Sequence, residues 1–119
     1  MASDYEAVFF DISGVLYQGD ELIPGAPEAV RAARRAGLAV RFLTNTSRKT
    51  CARIRDDLAT FGIETGDDEV ITAPSAACDY LKEHNLRPWL LVHPDIVSEF
   101  DDIDQDYPNA VVIGDAAED

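Results

Sequence analysis

Lysine is nearly absent from this sequence. Lys49 and Lys82 are the only two, and 10 Lys and Arg face 23 Asp and Glu, for a net charge of −13 over 119 residues. Nucleic acid binds through a continuous basic footprint, which this balance does not offer. Cysteine is scarce too: Cys51 and Cys78 stand apart in amphipathic stretches, with no CxxC and no Cys/His cluster to form a metal site, and read as reduced, buried or half-buried thiols. Long apolar runs are missing. Nothing approaches the roughly 18 uninterrupted apolar residues of a membrane span, and Met1 to Glu6 lacks the basic-then-apolar order of a secretory signal. These absences predict a cytoplasmic protein with no nucleic-acid and no membrane partner.

What remains is ordinary for a globular protein: 46% apolar and 28% charged residues, at a length typical of one domain. The lysine-poor acid excess fits solubility in a salt-rich cytoplasm, where screening suppresses self-repulsion.

Along the chain, Ala7 to Asp11 (AVFFD) is a short apolar run ending in an acid. It suits a central parallel strand covered on both faces. PGAP (Pro24 to Pro27) starts a helix in which Ala29, Val30 and Ala33 oppose Arg31, Arg34 and Arg35, and Gly37 ends it. Leu38 to Leu43 is the next strand, so the strand–helix–strand unit places its two strands parallel, with Asp11 and Thr44 emerging on the same edge. A helix is predicted from about Ser47 to Phe61, then a short Val70-Ile71 strand, a helix over Pro74 to His84 and a strand over Trp89 to Val92. A short helix from Pro94 to Phe100, an acidic loop from Asp101 to Asp106 and a strand over Ala110 to Ile113 follow. The fold class is α/β with a Rossmann-like parallel sheet. The chain stops at Asp119 just after a strand and a glycine, which predicts a portion of a longer protein.

Open parallel sheets bind ligands beyond the carboxyl ends of their strands, where Asp11 meets Thr44 and Asn45. A carboxylate there can attack a phosphoryl group when Mg²⁺ and hydrogen-bond donors offset the charge repulsion. Thr44, Asn45 and the turn Ile12-Ser13-Gly14 supply a hydroxyl and backbone N–H groups as such donors. By position alone, an acid at a strand end equally serves to cap the following turn.

The stretch DISGVLYQGDELIPGAPEAVRAARRAGLAVRFLTNTSRKT resembles the first two motifs of the haloacid dehalogenase superfamily. Motif one is an apolar strand ending in D-x-D/S-G-[VT]-L, and motif two is a strand ending in [ST]-N. The P-G-A segment, TNTSR and VITAPSAACDYLKE are similar to the branch of nitrophenyl phosphatase-like enzymes and phospholysine/phosphohistidine/inorganic pyrophosphate phosphatases. The resemblance implies the amino-terminal part of the core over residues 1–85 and the beginning of an α/β cap over 86–119. It implies a Mg²⁺-dependent phosphatase acting on a small phosphorylated substrate through an aspartyl-phosphate, with room for a homo-oligomer. Asp11 would be nucleophile and metal ligand, Ser13 would lend its backbone carbonyl to the metal, and Ser13, Gly14, Thr44 and Asn45 would bind phosphate.

Position 13 departs from the pattern, since most family phosphatases carry a second Asp there as general acid and base. Serine cannot replace it by simple proton transfer, which favours good leaving groups such as pyrophosphate or imidazole-bound phosphate. The family's later lysine and acidic motifs do not occur in this chain. Gly114-Asp115 with Asp119 imitates the last of them but precedes any complete cap. Two other classes stand beside the enzyme: a non-catalytic phosphate- or partner-binding domain, and a phospho-accepting receiver, whose acceptor would be expected on a later strand. The Asp102-Asp104-Asp106 spacing imitates a calcium loop, but Tyr107 takes the glycine position and Ile113 the glutamate position. His84 and His93 read as a helix end and a strand-end turn, and Arg48 as a helix-start residue able to attract substrate.

Overall fold

The computed structural model describes residues 4–115; Met1 and Asp119, which enter the expectations above, lie outside them. The chain forms two compact units. One holds the residues up to Thr44 together with Ile54–Ile71, the other Asn45–Arg53 and the residues from Thr72 on.

In the first unit AVFFD forms β1 (Ala7–Asp11). A tight antiparallel hairpin follows, β2 (Tyr17–Gln18) and β3 (Glu21–Leu22), where the sequence pattern marked no strand. Strands of two residues have no alternation to read. Helix α1 (Ala26–Arg35) begins after Gly25, whose φ of 89° glycine adopts without steric cost, and has Pro27 in its first turn. β4 (Ala39–Leu43) pairs in parallel with β1, and most of α2 (Cys51–Thr60) and β5 (Val70–Ile71) complete the unit. The sheet order is β1-β4-β5. Val40 and Phe42 are buried, the Phe10 and Phe42 rings stack with centroids 6.0 Å apart, and Ile54, Leu58, Ile63 and Val70 join the core.

β1 differs from the expected central strand. It lies at an edge of this sheet, and its burial alternates, with Val8 and Phe10 half-buried while Phe9 on the other face is 62% exposed. Five apolar-rich residues look alike whether one face or both are covered, so the run could not distinguish the two.

The second unit is built from α3 (Ala73–Glu83), β6 (Pro88–Leu91), a 3-10 helix over Pro94–Phe100 and β7 (Ala110–Ile113), which runs parallel to β6. Thr72 and Ser75 cap α3 reciprocally: the Thr72 hydroxyl accepts from the Ser75 N–H at 3.0 Å, and the Ser75 hydroxyl from the Thr72 N–H at 2.9 Å. Cys78, Leu81, Ile96, Phe100 and Ile103 form the core, with Leu90, Ala110 and Val112 packed against it from the strands and Val92 from just past β6. The alternate strand positions point away from it: Trp89 pairs with Val111 and Leu91 with Ile113, and all four are exposed.

Candidate active site

The β1–β4 register sets Asp11 beside Leu43, so Asp11 and Thr44 leave the sheet at the same edge, as the strand–helix–strand pattern predicted. Asp11 is exposed, and its Oδ1 accepts the N–H of Ile12 at 2.8 Å. Ile12 is 1% exposed and anchors the turn: its carbonyl accepts from the N–H groups of Val15 at 3.1 Å and Leu16 at 2.9 Å. Ser13 and Gly14 lie on the exposed side. Gly14 has φ 80°, and its N–H donates to the Tyr17 carbonyl at 2.8 Å. An added Cβ there would be strained by that φ and would meet Gln18 Oε1 at 3.4 Å. These turn bonds employ the carbonyls of Ile12 and Tyr17, not that of Ser13.

Several backbone donors expected to hold phosphate are engaged. The Thr44 N–H donates to the Ile71 carbonyl at 3.1 Å, extending the parallel ladder one residue past β4. The Gly14 N–H closes its own turn, and the Ile12 N–H serves Asp11. What Thr44 can bring to an anion is therefore its side chain, and Gly14 contributes conformation rather than a donor.

Asn45 follows in the chain as the first residue of the second unit and is exposed. Helix α2 begins at Cys51 rather than near Ser47 because the Thr50 hydroxyl accepts the Arg53 N–H at 3.1 Å, an N-cap three residues before its partner. The first N–H of that helix, on Cys51, donates to Glu99 Oε1 at 2.5 Å, so a protein carboxylate occupies this helix start. Arg48 pairs through Nε with Asp115 Oδ2 at 2.5 Å. No local pattern could disclose either contact, since the partners lie 48 and 67 residues away.

Cys51 is half-buried and Cys78 buried, both free thiols, as the sequence suggested. Burial, with Glu99 adding to it, raises the Cys51 thiol and pushes Cys78 up to about 11, so neither is a thiolate near neutral pH. Cys78 donates to the Glu99 carbonyl at 3.2 Å. His93 caps the 3-10 helix by accepting the Asp95 N–H at 3.1 Å, and His84 ends α3 with its ring tilted against that of Tyr80, centroids 4.1 Å apart.

Among the described residues, no group of three or more His, Cys, Asp and Glu forms a metal centre. The donors on the β1 turn, a carboxylate and an exposed carbonyl, are all oxygen. That chemistry suits Mg²⁺, which takes one or two carboxylates and keeps several waters.

Residues 8–106 match the haloacid dehalogenase-like hydrolases, the family to which the chain belongs. Its curated relatives include the human phospholysine phosphohistidine inorganic pyrophosphate phosphatase, 47% identical over 93% of this chain and 43% of that protein. The Xenopus laevis protein of the same name is 43% identical over 98% of this chain and 45% of its own length. Among solved structures, a 4-nitrophenylphosphatase from Thermotoga maritima superposes with a TM-score of 0.80 at 25% identity, over 92% of this chain and 44% of that one. The chain thus spans less than half the length of these relatives. Among the described residues no helix is long and apolar enough to cross a membrane.

Proposed function

We propose that the protein is a cytoplasmic, Mg²⁺-dependent phosphatase of small phosphorylated molecules, working through a covalent phosphate on Asp11. The observation that carries this is Asp11 held exposed at the carboxyl end of β1, in register with the end of β4 that delivers Thr44. In this reading residues 1–85 belong to the catalytic core and 86–119 begin a cap.

The Asp11 carboxylate attacks phosphorus, the bond from phosphorus to the leaving group breaks, and the leaving group departs with the bonding pair. Water then attacks the aspartyl-phosphate, releasing inorganic phosphate and restoring Asp11. Mg²⁺, held by Asp11 and the Ser13 carbonyl, would supply charge neutralisation at the phosphoryl oxygens. The Ile12 N–H bond to Oδ1 fixes the carboxylate's rotation, leaving Oδ2 as the attacking oxygen. Ser13, the Thr44 hydroxyl and Asn45 hold the phosphoryl group, while Gly14 shapes the turn.

With serine at position 13 the leaving group receives no proton from that side. Phosphoanhydrides and phosphoramidates, the chemistry in the names of the human and Xenopus relatives, are therefore favoured over alkyl phosphates. The test is Mg²⁺-dependent phosphate release from pyrophosphate and p-nitrophenyl phosphate by the intact gene product and by Asp11→Asn. Release that disappears in the variant is the expected result. The same Ser13 favours one competing reading, a non-catalytic phosphate-binding domain, and phosphate binding without turnover in the unmutated protein would establish that reading instead.

A further inference from the structure

Within the first unit, the β2–β3 hairpin stands against the turn that follows Asp11. Tyr17 anchors it. This residue is 7% exposed, its ring stacks on Phe61 with centroids 4.7 Å apart, its backbone bridges to Ser13, and its carbonyl accepts the Gly14 N–H at 2.8 Å. The loop Gly19-Asp20, with Gly19 at φ 60°, closes the hairpin in two residues. Successive side chains of a strand point to opposite faces, so the burial of Tyr17 leaves Gln18 exposed. The Gln18 carboxamide lies over Gly14, its Oε1 3.4 Å from where a Cβ would stand. Among the described residues this carboxamide has no hydrogen-bond partner. Asp20 and Glu21 beyond it are exposed too, but an ionised carboxylate only accepts, so Gln18 brings the hairpin's side-chain N–H donors.

Gly14 is three residues past Asp11, a span of at most about 11 Å even when fully extended, and the turn bonds of Ile12 and Tyr17 draw the segment in further. An in-line displacement puts the departing atom across phosphorus from the Asp11 oxygen. Its contacts then come from groups that stand off the strand end, as the hairpin does. We infer that Gln18 contacts the leaving group, donating an N–H hydrogen bond to the departing atom and so setting how poor a leaving group the site tolerates. The departing atom keeps the bonding pair and takes its proton from water, while Gln18 gives up none. A neutral donor aimed where negative charge develops stabilises that charge more than the ground state, so its effect grows as the leaving group becomes more basic. This rests on the phosphatase reading for the role of Asp11.

The test compares kcat/KM of the intact gene product on p-nitrophenyl phosphate and on unsubstituted phenyl phosphate, whose leaving group is the poorer. Gln18→Met keeps the side chain's length over Gly14 and removes its donors; Gln18→Ala removes both. Each is expected to lose about tenfold on phenyl phosphate, the order of one hydrogen bond to a charged group, and much less on p-nitrophenyl phosphate, with circular dichroism confirming the fold. Equal losses on the two substrates, no loss on either, or a loss in Gln18→Ala that Gln18→Met restores overturns the inference, the last by showing that the side chain only packs on the turn. The two readings fail separately: release that survives Asp11→Asn removes the nucleophile assignment and this inference with it, whereas Asp11-dependent release with no leaving-group dependence in the Gln18 variants removes only the role of Gln18.

Discussion

Arg34 and Glu69 form the best-made ion pair of the first unit. Arg34 Nη1 and Nη2 each donate to a different Glu69 oxygen at 2.7 Å, Nη2 also reaches the Glu64 carbonyl at 2.9 Å, and the Gly66 N–H binds Glu69 at 2.8 Å. The fork ties the end of α1 to the residue preceding β5. The Arg34 hydrogen bonds hold Glu69 at about 2, against an ordinary 4.5. Because the folded state takes up this proton less readily than the unfolded chain, the pair's contribution is complete above about pH 4.5 and is lost as pH falls through about 2. Glu69→Gln is expected to cost about 1 kcal/mol at neutral pH, a partly exposed bidentate pair being worth little more, and to flatten the fall of stability across that acid window. Urea unfolding of both proteins between pH 2 and 7 would check it. At position 13, Ser13→Asp should raise hydrolysis of sugar phosphates relative to pyrophosphate, since a carboxyl near the leaving group supplies the missing acid, a role worth about 10²–10⁴-fold where it operates; parallel rate assays on the two substrates would show whether it does.

At the scale of elements, most of the fold was legible. AVFFD, AVRFL and VI became strands because apolar runs bounded by turn residues have few alternatives, and the proline and glycine punctuation around α1 and the proline opening α3 set their limits within a residue or two. Asp11 beside the β4 end was legible for the same reason, since a strand–helix–strand unit forces parallel strands. The start of α2 was not: TNTSRKT contains several competing hydroxyl caps, and Thr50 was selected over Ser47 in a setting where Glu99 holds the first helical N–H. Nor could the pattern tell that the Thr44 and Gly14 amides would be consumed by neighbouring carbonyls, because those bonds depend on register rather than residue type. The capping box of α3 carries its own prediction. Thr72 is 1% exposed, so Thr72→Ala removes a cap and leaves the Ser75 N–H to be resatisfied, at an expected cost of about 1–2 kcal/mol. A lowered thermal midpoint with unchanged Asp11-dependent activity would be its signature.

For the whole molecule, charge is the dominant property. Exposed acids such as Asp67, Asp68, Asp79, Asp101 and Asp104 lie on both units, and few bases oppose them. Mutual repulsion weakens as the screening length shrinks from about 10 Å in about 0.1 M salt to about 3 Å near 1 M. The thermal midpoint is accordingly expected to rise from dilute buffer to molar KCl, and a midpoint that stays level would sink the idea that this composition is an adaptation to salt.

Trp89 stands on the outward face of the β6–β7 pair, 53% exposed, and it is the chain's single tryptophan. Its indole emission is thus a one-residue optical gauge of that face. In this chain the emission should lie toward the red and be quenched by iodide, and any polypeptide laid across Val111 and Ile113 should shift it to the blue and shield it, giving assembly on that surface a spectroscopic readout without a label.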